Sequence, residues 1–209
     1  SIIAKSDVWP ISDFRSHANK GRLNLSPSYQ RADVWPTTDS QMLMESILRG
    51  IPLPSIILLK FEEESKTQYE VVDGKQRLTS ILRFIGKHPK ALQLVAETAD
   101  QHGDDDLMRL FEDNYPKFRK VWANLTGEQL TATKEREYYF PFRLRTNSTP
   151  LSGDLKHLQG KYYSEIRDSD IRIADQACEV SDVFETNTDY KLPVIEYSKA
   201  RPQQIQEVF

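Results

Sequence analysis

The stretch YEVVDGKQRLTSILRFI, residues 69–85, constrains the fold more than any other part of the chain. Tyr69-Glu70-Val71-Val72 has the β-branched and aromatic character of a strand. Leu78, Ile81, Leu82 and Ile85 then fall at i, i+3, i+4 and i+7, the stripe of an amphipathic helix. A strand that turns through glycine into a helix brings the unpaired N–H groups of the first helical turn to the strand's C-terminal end, where an anion can be held. Gly74 allows close approach to the backbone, and Lys75 and Arg77 supply cations. Gln76 can orient a water, and Asp73 can hold a metal or a leaving proton. Each residue type suits phosphoryl chemistry, with the helix expected to begin near Arg77. The same spacing also occurs in solvated surface turns, so the residues alone leave both readings open.

The neighbouring sequence supplies a frame for this turn. TTDSQMLMESILRG predicts a helix over 38–49: Thr38 and Gln41 have the spacing of a capping box, Met44, Ile47 and Leu48 form a stripe that Leu43 widens, and Gly50 stops it. The prolines of IPLP cannot continue that helix. SIILLK reads as a buried strand and TQYEVV as its hairpin partner across an acidic loop at 62–66. Residues 90–135 are expected to be mostly helical, with Leu107, Leu110, Phe111 and Tyr115 as one stripe. YYFPFRLR returns to extended character, DLKHLQGKYYSEI and DIRIADQACEVSDVF read as helical, and LPVIEYS as a last strand before a helix that the final PQQIQEVF leaves uncapped. Strands and helices mix without a regular βαβ period, so the fold class is α+β. The expected organisation is a core over 1–89, then a helical region over 90–209 whose late strand returns to that core.

Composition removes several functional classes. With 209 residues, 38% of them hydrophobic, the chain can bury a real core without disulfide staples. Its one cysteine, Cys178, cannot form an internal disulfide, which fits a reducing compartment and gives the cytoplasm as the expected location. No stretch approaches the roughly 20 apolar residues of a membrane span, and SIIAKSDVWP lacks the layout of a signal peptide. A net charge of −3 provides no broad footprint for duplex DNA. His17, His88, His102 and His157 lie far apart, with no ligand-like spacing around them. The initial Ser and the uncapped end give the expectation of a fragment.

A second polar segment, NLSPSYQRADVWP at 24–36, places Tyr29, Gln30 and Arg31 in sequence after Pro27, with Trp35 and Pro36 as an anchor before the first helix. An aromatic, an amide and a guanidinium in a row can stack on a base and clamp a phosphate. They can equally pack under a loop with the arginine paired to a carboxylate.

PSYQRADVWP, QMLMESILRGIPLPSI and YEVVDGKQRLTSILRF, in that order, resemble the N-terminal domains of GmrSD-type modification-dependent restriction enzymes, within the ParB/sulfiredoxin-like superfamily. The likeness is tight over about residues 8–86 and weaker beyond. The family motif DGQQR stands here as Asp73, Gly74, Lys75, Gln76 and Arg77, so its first Gln has become Lys. The resemblance implies a ParB/sulfiredoxin-like fold, with a small mixed sheet and packed helices leading into a mostly helical second half. It also implies an NTPase domain that binds and hydrolyses a nucleoside triphosphate, GTP or another, with Mg²⁺ as the accompanying cation. Asp73, Gln76 and Arg77 would take catalytic roles, and Tyr29, Gln30, Arg31, Gly74 and Lys75 would bind nucleotide. Such domains license DNA cleavage by an attached or partner HNH-type nuclease in anti-phage defence. Two alternatives stay open: a ParB-like DNA-binding or nuclease module, and a non-catalytic interaction domain of the same fold.

Overall fold

Two strands read from sequence lie at the centre of the sheet. In the computed structural model, which describes residues 2–26, 34–145, 153–186 and 190–198, β3 (Ile56–Glu63) and β4 (Lys66–Asp73) pair antiparallel from Glu63↔Lys66 back to Ile57↔Asp73. The acidic loop is shorter than expected. Both strands continue into it, and Glu64 (φ 52°) and Ser65 (φ 64°) alone make the turn. Positive φ at both central residues matches the twist that a two-residue hairpin requires.

Around this hairpin the five-stranded sheet runs β1-β7-β3-β4-β2, with β1 at Ile3–Pro10, β2 at Leu23–Asn24 and β7 at Lys191–Ser198. β7 is the expected LPVIEYS strand. It lies between β1, its antiparallel partner, and β3, its parallel partner, with Ile3 opposite Ser198 and Ile56 opposite Val194. The sheet is therefore mixed, and the fold is α+β. Its strand order joins the two ends of the described chain.

The helices α1 (Ile11–Asn19), α2 (Thr37–Leu48) and α3 (Lys75–Phe84) fill one core with the sheet. Met44, Ile47 and Leu48 on α2 and Leu78, Ile81 and Leu82 on α3 are all at most 1% exposed, as their stripes require. Removing that much apolar surface from water is the main driving force for docking both helices. The Ser40 and Ser80 hydroxyls meet at 2.7 Å, which lets two buried polar groups satisfy each other between α2 and α3. Gly50 ends α2 as expected, at φ 71°, with its N–H on the Ile47 carbonyl.

A second cluster, built on α4 (Pro89–His102), α5 (Leu107–Asp113), α6 (Tyr115–Thr126) and α7 (Ala132–Glu137), packs Phe111, Tyr115, Phe118 and Phe140 ring against ring. The expected stripe Leu107, Leu110, Phe111 and Tyr115 is buried, but a break at Asn114 divides it between α5 and α6. The Asn114 side chain caps α6 at Lys117 N–H, so the break is a helix start.

Local expectations are corrected at four places. Thr38 does not begin a capping box: α2 starts at Thr37 behind Pro36 with no side-chain cap, and the Gln41 amide donates to the Arg143 carbonyl at 2.9 Å. A tertiary acceptor has displaced the local one. YYFPFRLR joins no sheet; it ends in an irregular connection in which Phe140, Pro141, Phe142 and Leu144 are buried. DIRIADQACEVSDVF is a hairpin followed by a short helix: β5 (Asp170–Ile173) pairs with β6 (Gln176–Glu179) through Ala174 and Asp175 at positive φ, and α9 (Val180–Phe184) comes after. Ile171 is buried beside exposed Arg172, a period of two that a helix cannot use. DLKHLQGKYYSEI keeps helical character only in pieces, a 3₁₀ helix at Gly153–Leu158 and the single turn α8 (Tyr163–Ile166).

Candidate functional site

β4 ends at Asp73 and α3 begins at Lys75, with Gly74 alone between them at φ 100°. The helix therefore starts two residues earlier than expected, and Lys75, Gln76 and Arg77 form its first turn. Glycine is demanded here by the fold itself. A Cβ at residue 74 would lie 2.5 Å from the Ile56 Cδ1 and 3.3 Å from an Arg77 nitrogen, in a backbone region that L-residues avoid. Because Gly74 has no side chain, no side-chain cap reaches the first turn of α3. The N–H groups of a helix's first turn have no intrahelical partner, and the positive end of this ten-residue helix lies at Gly74 and Lys75.

The three polar side chains after Gly74 have different tasks. Arg77 turns back into the protein: its guanidinium donates to the carbonyls of Pro54 and Ser55 and lies 3.7 Å from the Asp73 carboxylate. Only 12% of its side chain is exposed, against 65% for Asp73. Arg77 thus fastens the IPLPS connection to the turn. The ion pair adds little, because solvent screens Asp73. Gln76 accepts the Trp35 backbone N–H at 3.1 Å through Oε1, so any hydrogen bond it donates to a ligand comes from the Nε2 end. Lys75 lines the cleft and brings the cation nearest the helix start in sequence.

These residues share one open cleft of about 490 Å³, lined by Trp35, Val72 and the run from Asp73 to Arg77. That volume is in the range of small-ligand sites. Asp73, Gly74, Lys75, Gln76 and Arg77 are therefore brought together. Tyr29, Gln30 and Arg31 lie outside the described residues. Trp35, expected only to anchor its segment, lines the cleft, and the sequence signal for this was its place in the same motif as Tyr29. The carbonyls of Pro54 and Ser55 are partners that no local pattern indicates.

Among the described residues no group of three or more His, Cys, Asp or Glu side chains converges as a metal cage. Asp73 is the carboxylate that a cation in this cleft would meet. Among the same residues no helix is long and apolar enough to cross a membrane.

The family model for the GmrSD restriction endonuclease N-terminal domain matches residues 11–209. No curated protein and no solved structure matches. The family match runs from the first residue of α1 through the turn at Gly74 and past β7, so it takes in four of the five strands, all but β1, as well as the cleft. On this evidence the chain belongs to the GmrSD restriction endonuclease N-terminal domain family, and with it to the proteins of DNA restriction and defence.

Proposed function

We propose that this domain binds a nucleoside triphosphate with its phosphates at the start of α3 and hydrolyses it, and that this activity regulates DNA cleavage by an attached or partner HNH-type nuclease in defence against phage. The observation that carries the reading is the cleft at Asp73–Arg77, where a helix start without a side-chain cap opens beside Lys75. Backbone N–H groups, a helix dipole and an ammonium together suit a polyanion. Mg²⁺ fits the same place. It prefers one or two carboxylates together with substrate phosphates, and Asp73 is exposed at the cleft.

In the hydrolytic step, water attacks the terminal phosphorus, the bond to the bridging oxygen breaks, and inorganic phosphate leaves from the nucleoside diphosphate. Asp73 would hold the cation, which would neutralise charge on the phosphates, and the Gln76 Nε2 end would meet the phosphate or the incoming water. Arg77 contributes by holding the turn in shape, because its guanidinium is committed to Pro54 and Ser55. Tyr29, Gln30 and Arg31 belong to this reading through the family motif; Arg31 lies four positions before Trp35 in sequence. The setting is a reducing cytoplasm.

Phosphate release from the four nucleoside triphosphates with Mg²⁺ tests the proposal, together with equilibrium binding to wild-type protein and Lys75→Gln. Saturable binding that weakens in Lys75→Gln, with a shallower dependence on salt, supports it. Binding to DNA but to no nucleotide would move the assignment to a DNA-contacting module. Nucleotide binding without turnover would leave a non-catalytic sensor.

A further inference from the structure

The cleft has more room and more apolar wall than phosphates alone would use. Its lining at Asp73–Arg77 is polar, whereas Trp35 and Val72 are not, so one site offers an ionic part and an aromatic part. The chain has three tryptophans. Trp9 and Trp122 are core residues, 7% and 3% exposed, while Trp35 keeps an intermediate exposure and only part of it packs on the first core. A large indole left partly in water beside a cationic turn forgoes burial that a planar ligand would supply.

The backbone around Trp35 is held from two sides. Its own N–H donates to Gln76 Oε1, and the carbonyl of the preceding residue, Val34, accepts from the Arg136 guanidinium on α7. These bonds come from residues distant in sequence, so the position of Trp35 does not depend on its own segment alone. A wall fixed before the ligand arrives loses little entropy when it is covered.

We infer that Trp35 is the base-stacking wall of this cleft, taking the planar heterocycle of the nucleotide whose phosphates lie at the start of α3. The inference rests on the triphosphate reading above and adds the part of the ligand that the reading leaves unassigned. Stacking on an aromatic ring tolerates any base, because every base offers a π-face. The site should accordingly discriminate nucleotides from inorganic polyphosphate more strongly than it discriminates one base from another.

Calorimetric titration with inorganic tripolyphosphate and with each of the four nucleoside triphosphates, all with Mg²⁺, separates the two claims. Wild-type protein should bind every nucleotide roughly 10-fold or more tighter than tripolyphosphate, the scale of one base on one aromatic side chain. Trp35→Ala should reduce nucleotide affinity to the tripolyphosphate level and leave tripolyphosphate unchanged, and Trp35→Phe should keep most of the preference. Nucleotide binding should also quench tryptophan emission in wild type and not in Trp35→Phe. Equal affinity of wild type for nucleotide and tripolyphosphate would overturn the stacking role while sparing the phosphate site. A folded Trp35→Ala that loses both ligands in parallel, or neither, would overturn it too. Failure of wild type to bind tripolyphosphate and nucleotides alike would remove the phosphate reading and this inference together.

Discussion

The backbone N–H of Trp35 donates to Oε1 of Gln76 at 3.1 Å, joining two segments that stand 41 positions apart in the chain. This bond fixes the entrance of α2 against the first turn of α3, so the shape of the cleft depends on a side chain of the motif itself. Gln76→Ala should loosen Trp35 as well as remove an amide from the site. The expected result is a stability loss of about 0.5–1.5 kcal/mol, the usual net worth of such a bond, accompanied by weaker nucleotide binding. Urea denaturation and calorimetry on the same variant check both parts.

Gly74→Ala places a methyl group 2.5 Å from the Cδ1 of the fully buried Ile56, in a left-handed backbone. The left-handed conformation alone costs roughly 1–2 kcal/mol for an L-residue, and overpacking adds on the order of 1–3 kcal/mol. A denaturation midpoint equal to wild type would show that the turn can rearrange.

Arg77→Ala frees two backbone carbonyls that the guanidinium now serves. A loss of about 1.5–3 kcal/mol is expected from hydrogen bonds to a charged group. Arg77→Lys should recover only part of it, because an ammonium lacks the planar fork. Thermal unfolding of the two variants reports this directly. An unchanged Arg77→Ala transition would mean that the contacts to Pro54 and Ser55 do not hold the connection.

His88 gives the fold a pH dependence. Its ring is 3% exposed and stacks on Tyr139, and its Nδ1 accepts the Lys90 N–H that starts α4. Burial first, then the charges of Lys90 and Arg83, hold its pKa down to about 3. The unfolded imidazole takes a proton near pH 6.5. The stability from a neutral His88 is thus fully present above about pH 6.5 and is lost as the pH falls from there toward 3, by on the order of several kcal/mol. Chemical denaturation at pH 7 and pH 4.5 should show a smaller decrease for His88→Asn, which keeps an acceptor at the helix start and has no proton to gain. Equal decreases in the two proteins would contradict this.

Much of this site was legible in sequence, and the missing parts share a cause. The stripes of α2 and α3 and the hairpin before α3 are local periodicities, and burial follows them residue by residue. Ile81→Ala or Leu82→Ala should therefore cost about 2–5 kcal/mol in the same denaturation assay, against almost nothing for the exposed Glu63→Gln. Strand β1 gave little signal, because its first six residues are exposed and its partner β7 lies at the far end of the chain. Arg77 looked like a ligand-facing cation because nothing near it in sequence announces the carbonyls of Pro54 and Ser55. Thr38 and Gln41 matched a local cap, yet Gln41 found the Arg143 carbonyl. The hairpin at 170–179 was hidden by a turn, Ala174-Asp175, without the glycine that commonly marks one.

The most direct measurement is the backbone amide spectrum of ¹⁵N-labelled protein titrated with a nucleoside triphosphate and Mg²⁺. Phosphates bound at the start of α3 should give the largest saturable shifts at Gly74, Lys75, Gln76 and Arg77, with the Trp35 amide moving at the same midpoint. Saturation with those amides unmoved and the changes elsewhere, for example in the cleft lined by Gly50, Cys178 and Tyr190, would contradict the assignment.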